Sequence, residues 1–193
     1  MEAGMLRRDV YRSGAPELAP LLVGCMLVRT LPRGRASGRI VETEAYTADD
    51  PASHSFRGPT KRNAPMFGGG GLAYVYFVYG MHCCFNVTAG PPGSGEAVLI
   101  RALEPLEGVD LMRANNPGTP VGLLCRGPGR LCRSLAIGLS HSGRPLGGEI
   151  GILVPADRGT PRVASGERIG IRVGTGRPWR FTLEGSEWLS GRG

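Results

Sequence analysis

LAYVYFVYGMHCCFNVT, residues 72–88, is the stretch that decides the architecture. Its halves, 72–79 and 82–88, are runs of β-branched and aromatic residues, which pack well on a pleated surface. Gly80-Met81 between them suits a tight reversal, so the stretch predicts an antiparallel β-hairpin with that pair at its tip. Outward from it, residues 25–30, 39–46 and 97–103 read as strands, with 31–37 as the turn joining the first two. Residues 150–154, 167–173 and 179–183 read as further strands. Helical patterning is scarcer. Leu18, Leu21 and Leu22 fall at i, i+3 and i+4 and predict a short helix ending at Gly24, with Pro16 suited to its first turn and Pro20 set against it. Residues 109–114 and 131–137 suit two more helices. The Gly- and Pro-rich stretches 47–71 and 90–95 are loops, and a long loop inside a small domain is commonly functional. The pattern predicts an α+β fold of one domain over residues 1–193. Its sheet is curved, mainly antiparallel and open in a barrel-like way, with helices around it and the hairpin protruding.

A chain of 193 residues that is 41% hydrophobic can bury one sizeable core. No apolar run reaches the roughly 20 residues of a membrane-spanning helix, and the opening MEAGMLRRDVYRSG lacks the apolar middle of a signal peptide. The expectation is an intracellular protein without a membrane partner. The five cysteines (Cys25, Cys83, Cys84, Cys125, Cys132) form no C-x-x-C pair, and their odd number argues against a closed disulfide framework. Buried thiols are expected, and no metal. His82-Cys83-Cys84 lies in a strand, where successive side chains point to opposite faces. The formal net charge of +7 suits a polyanionic partner, since basic side chains displace counterions condensed on nucleic acid. Of 23 basic residues only Lys61 is a lysine.

Chemistry concentrates where residues 39–46 give way to the long loop. In a strand, Glu42, Glu44 and Tyr46 share one face, and Val41, Thr43 and Ala45 the other. A carboxylate at a strand end beside a cleft suits a general base. Asp49, Asp50, His54, Arg57, Lys61 and Arg62 follow in the loop, a mixed set typical of a site. Tyr74, Tyr76 and Tyr79 are three of only five tyrosines. Aromatic rings hold extruded bases by stacking, and a large side chain at a hairpin tip can wedge into a duplex. Gly68–Gly71 lacks the Gly-Lys-Ser/Thr of a phosphate loop and reads as a flexible approach to the hairpin. Gly127-Pro128-Gly129 before a helix could offer backbone N–H groups to a phosphate, with Arg130 beside them.

Six segments together resemble the alkyladenine (3-methyladenine) DNA glycosylase family. They are GRIVETEAYTADDPASHSF (38–56), TKRNAPMF (60–67), YVYFVYGMHCCFNV (74–87), AVLIRALEPLEG (97–108), GPGRLCRSLAI (127–137) and GSEWLS (185–190), in the family's order and over most of the chain. The resemblance implies a compact mixed fold around a curved antiparallel sheet and an enzyme that needs no cofactor. It implies binding to double-stranded DNA containing damaged purines, flipping of the damaged nucleotide, and action as a monomer in the cytoplasm or nucleoid of a bacterial cell. By the same resemblance Glu44 is the base that activates water, and Arg101 helps hold that water and Glu44. Tyr46, Tyr76 and His54 sandwich and contact the flipped base, and Asn86 helps exclude normal guanine. Tyr79 is the inserted wedge, and Arg62, Met66 and Met81 lie near the DNA backbone or the gap left by the base. Lys61 and Arg130 supply phosphate contacts; Lys61 stands where a proline is common and Arg130 where a lysine is common. Glu42 is left a structural role.

Two other readings compete: a nucleic-acid-binding module without catalysis, and a hydrolase of a small metabolite on the same fold. Glu44 with Arg101 argues against the first. The basic charge and the hairpin tyrosine argue against the second. The lysine count adds one expectation. Glycosylases that also cleave the strand form a Schiff base with an amine, usually a lysine, and arginine stays protonated and cannot replace it. With Lys61 set in a basic loop, hydrolysis without strand cleavage is expected: borohydride trapping on lesion-bearing duplex should yield no covalent adduct, and an adduct would contradict it.

Overall fold

The computed structural model describes residues 4–78 and 80–191. Nine strands form the sheet: β1 (Gly4–Met5), β2 (Met26–Leu31), β3 (Gly34–Tyr46), β4 (Ala73–Val78), β5 (His82–Ala89), β6 (Glu96–Glu107), β7 (Ile150–Val154), β8 (Val163–Gly166) and β9 (Arg180–Leu183). Three α-helices accompany them: α1 (Ala15–Leu22), α2 (Val109–Asn115) and α3 (Pro128–Ser134). The order across the sheet is β1-β7-β2-β3-β6-β5-β4; β9 adds to β3 at Glu42–Glu44, and β8 adds to β9. Every ladder among the described residues is antiparallel, and the sheet is open, as the α+β expectation had it. No helix among the described residues is long and apolar enough to cross a membrane.

The helices cover one face. α1 packs on β3 and β6, α3 packs on β5 and β6, and α2 packs on α3. Leu18 and Leu22 of α1, Leu131 of α3, Phe85, Ile100 and Leu103 are fully buried in the one large core cluster. Burying a side chain of this size contributes about 1.5–3 kcal/mol. That burial lets α1 run on through Pro20, whose missing N–H weakens the helix internally.

Four sequence expectations need correction. The hairpin turn expected over 31–37 is only residues 32–33, because Leu31 already pairs with Gly34 and β3 begins there. The helix expected over 131–137 starts at Pro128 and stops at Ser134; Ala136 has a positive φ of 49°. Residues 167–173 are not a strand. Gly170 and Gly174 sit at φ of 79° and 64°, outside extended backbone, and the strand is displaced to β8. Finally, Gly68–Gly71 is no flexible approach. Gly70 and Gly71 donate to the carbonyls of Gly90 and Thr88 at 2.9 and 3.0 Å, and a Cβ at Gly70 would overlap the Tyr11 carbonyl.

The central strands β3 and β6 change phase halfway along. Ile40 pairs with Leu103 and Glu42 with Ala102, so Val41 is an extra residue in β3. Thr43 then pairs with Ile100, so Arg101 is an extra residue in β6. Before these bulges Ala36, Ile40 and Leu103 face the apolar core; beyond them Ala45, Ile100 and Val98 do. Each bulge moves the alternation by one residue. Without the first, Glu42 and Glu44 would follow Ile40 into the core. With both, Glu42, Glu44 and Arg101 meet on the face opposite the helices.

The tight approach of chain to chain at Gly70 gives a direct test. Gly70→Ala should lower unfolding stability by about 1–3 kcal/mol or more through overpacking, measured by urea denaturation; Gly148→Ala, also without a left-handed φ but in open space, is the control that lacks the steric cost.

Candidate active site

The face carrying these charged residues looks into a cavity of about 380 Å3, within the size range of small-molecule sites. Tyr46 at the end of β3, Tyr74 and Tyr76 on β4, Cys84 and Asn86 on β5, and Arg101 on β6 line it from the sheet. The loop after β3 contributes His54 and Arg62, the start of α3 contributes Pro128 and Gly129, and the irregular segment before β9 contributes Ile169 and Ile171.

Behind this wall lies a buried charge cluster. Glu42 and Glu44 are both 0% exposed, and Arg101 bridges them, with Nε to Glu42 Oε1 at 3.3 Å and Nη1 to Glu44 Oε2 at 3.2 Å. Burial alone would lower the Arg101 pKa, but the carboxylates of Glu44 and Glu42 outweigh it and raise the pKa. Glu42 also accepts from Arg180 Nε at 2.6 Å and from the Ser190 N–H at 2.6 Å. It ties β9 and the 185–190 segment to the sheet, the structural role expected of it. Glu44 accepts the Tyr46 hydroxyl at 2.8 Å on Oε2 and the Ile169 N–H at 2.6 Å on Oε1. A carboxylate has about four acceptor sites. Among the described residues three are taken, which leaves one on Oε1. Glu44 does not itself line the cavity; Tyr46, Arg101 and Ile169, which hold it, do.

The aromatic residues form one connected group. His54 stands edge-on to Tyr76 with ring centroids 4.5 Å apart, and its Nδ1 shares a 2.8 Å hydrogen bond with the Tyr74 hydroxyl. Much of His54 is open to solvent, yet lost hydration around its ring, aided by the nearby Arg62 charge, lowers its pKa. Burial raises the Tyr74 pKa to about 12 and pushes Tyr46 and Tyr76 up as well, so all three keep their hydroxyl protons. Arg62 lies over the Tyr76 ring at 5.4 Å and donates to the Phe77 carbonyl at 3.2 Å. Asn86, 3% exposed, donates Nδ2 to the Tyr74 carbonyl at 3.0 Å and so presents a fixed edge.

Of the remaining expected site residues, those described are exposed, with one exception. Met66 is 1% exposed, packed with Tyr74 and Ala97, and lines the cavity instead of an outer surface. Met81 is 73% exposed beside Phe77 at 47%, which makes the hairpin end apolar and accessible. Tyr79 lies outside the described residues. Lys61 is exposed in the loop, and Arg130 is exposed with its guanidinium folded onto the Arg126 carbonyl at 2.6 and 2.9 Å. Cys84 faces the cavity while Cys83 packs toward the helix-side core, the alternation expected of a strand. No group of three or more His, Cys, Asp or Glu among the described residues could hold a metal ion.

A family model described as methylpurine-DNA glycosylase matches residues 9–187. The chain belongs to the methylpurine-DNA glycosylase family. It is 48% identical over 192 residues to a protein of Burkholderia lata, covering 97% of this chain and 91% of the relative. A Rubrobacter xylanophilus protein is 48% identical over 179 residues, covering 89% and 93%, and a Carboxydothermus hydrogenoformans protein is 44% identical over 190 residues, covering 96% and 98%. The names of all three contain the words 3-methyladenine DNA glycosylase. The glycosylase is thus a DNA-repair hydrolase of N-glycosidic bonds, as the sequence resemblance implied.

Sequence reading missed several residues that build the glycosylase's site. Arg180, Ser190 and Ile169 hold the two glutamates, and Arg168 pairs with Asp50 across 118 residues of chain. Nothing local marks Arg168 among 22 arginines; only its partner identifies it.

The lowered His54 pKa has a defined sign in linkage. The unfolded chain binds the proton first, so stability is lost as pH falls through the ordinary histidine value of about 6.5. An NMR titration should place the His54 midpoint below that value, and Arg62→Gln should move it upward; an unmoved midpoint would exclude the Arg62 charge as a cause.

Proposed function

We propose that this glycosylase flips an alkylated or deaminated purine out of duplex DNA into the cavity and hydrolyses its N-glycosidic bond with a water directed by Glu44. The observation that carries the proposal is the fixing of Glu44 by Arg101, the Tyr46 hydroxyl and the Ile169 N–H, with one acceptor site on Oε1 left over, directly behind a purine-sized aromatic cavity. The names of the relatives agree in naming 3-methyladenine as a substrate base.

The chemistry follows from what breaks. An N-glycosidic bond ionises through an oxocarbenium-like state, and one carboxylate near C1′ both stabilises that charge and removes a proton from water. Arg101 touches Glu44 and the cavity together, so it orients carboxylate and water. An alkylated purine is already cationic and leaves without a general acid; hypoxanthine or ethenoadenine needs protonation. Tyr46, Tyr76 and His54 supply the stacking walls. The fixed Asn86 edge crowds the exocyclic amine of normal guanine. Phe77 and Met81 at the hairpin end fill the gap in the duplex together with Tyr79, and Arg62, Lys61 and Arg130 serve the backbone.

Two features bear on the competing readings. A carboxylate held by three donors beside a cavity is more than a DNA-binding module requires. No lysine lines the cavity, and Lys61 is exposed in the loop, which supports hydrolysis without strand cleavage.

The decisive measurement compares wild type with Glu44→Gln on duplexes carrying 3-methyladenine, 7-methylguanine, hypoxanthine or ethenoadenine. Wild type should leave abasic sites. Glu44→Gln should bind the same duplexes while its excision rate drops about 10²–10⁴-fold, the usual contribution of a positioned base. Equal rates would remove Glu44 from the mechanism.

A further inference from the structure

Arg168 precedes Ile169, whose N–H holds Glu44, and its guanidinium reaches three other parts of the site. Nη1 donates to the Ala45 carbonyl at 2.9 Å, between Glu44 and Tyr46. Nη1 and Nη2 form a two-point pair with Asp50, in the loop that carries His54. Nη2 also donates to the Gly174 carbonyl at 3.0 Å, closing the segment that contributes Ile169 and Ile171 to the cavity. The guanidinium carbon lies 4.7 Å from the Tyr46 ring centroid and 5.5 Å from that of Trp179.

Both side chains of the pair are 0% exposed, and Arg168 Nε is buried with no hydrogen-bond partner among the described residues. Burying two charges is costly, and a pair with an unmet donor is a poor source of stability. What the pair secures is geometry. A planar fork fixes direction as well as charge, which an ammonium does not.

We propose that Arg168, paired with Asp50, is a positioning residue for base excision: it seats the Tyr46 ring as a cavity wall and the Ile169 N–H on Glu44. It lies outside the cavity lining and touches neither base nor water. The proposal rests on the assignment of Glu44 and Tyr46 made above.

Arg168→Lys tests it, because the charge facing Asp50 is kept while the fork and the ring contact are lost. Single-turnover excision at saturating enzyme, per folded molecule, should fall at least roughly tenfold, since small misplacements of reacting groups carry costs of that order. Affinity for lesion duplex should be unchanged, and the fall should be larger on neutral hypoxanthine than on 7-methylguanine, whose cationic base leaves readily. Asp50→Asn, which keeps size and one acceptor, should show the same order with a smaller fall, and carries the test alone should Arg168→Lys not fold. A rate per folded molecule equal to wild type on both lesions would overturn the proposal, as would an equal loss on both that follows the folded fraction. Glu44→Gln separates the two claims. If it is inactive while Arg168→Lys works at the wild-type rate, the positioning role alone fails; if it is active, the assignment of Glu44 fails first.

Discussion

The structure turns on a cation held between two buried carboxylates. Arg101 with Glu42 and Glu44 could not sit on the core side of the sheet, where nothing polar would meet them. The extra residues Val41 and Arg101, one on either side of the Glu42–Ala102 pair in the two central strands, carry all three to the other face. Either bulge alone would leave one partner among Leu and Ile side chains and the other uncompensated. The paired bulges shift the two strands together and restore the register beyond them, so the hydrophobic packing of α1 and α3 is preserved on one side while a charged site is built on the other.

Once there, the glutamates divide their roles by their partners. Glu42 accepts from two arginines and a backbone N–H, and through Arg180 and Ser190 it fastens β9 and the 185–190 segment. Glu44, two residues on, is held by Arg101, Tyr46 and Ile169, all three of which line the cavity. Identical side chains on one strand face are thus separated by which neighbours arrive at each: one fastens later segments, and the other is the carboxylate proposed to direct water. The aromatic walls are bound into the same set, since the Tyr46 hydroxyl is one of the donors on Glu44.

How much of this was legible in the sequence depended on the distance over which each feature is encoded. The β4–β5 hairpin was plain because its signal is local: two runs of strand-forming residues around a short turn. That Glu42, Glu44 and Tyr46 share a face followed from alternation, and it holds because all three lie beyond the bulge. Which face it would be did not follow, because the bulge is visible only in the pairing with β6. The role of residues 167–173 was misread for the same reason. Their apolar alternation suggests a strand, whereas their backbone is occupied with Glu44 and with Arg168, whose partners lie far earlier in the chain. Met66, which the resemblance set near the DNA backbone or the gap left by the base, is folded inward against Tyr74 by a 3-10 turn at Ala64–Phe67. The family resemblance supplied the roles of Glu44 and Arg101 that composition and spacing could not.

The fastening of β3 by later segments also bears on how the protein is made. Chains fold from the N-terminal side as they emerge during synthesis. A nascent chain complete through β7 contains both glutamates and Arg101 but lacks Arg168, Ile169, Arg180 and Ser190. Its sheet can already form around the helix-side core, while its charged face still has water where those partners will be. The cluster is thus finished only when residues beyond β7 wrap back onto the middle of the sheet, so a ribosome-bound fragment can be largely folded while the candidate site is still unassembled.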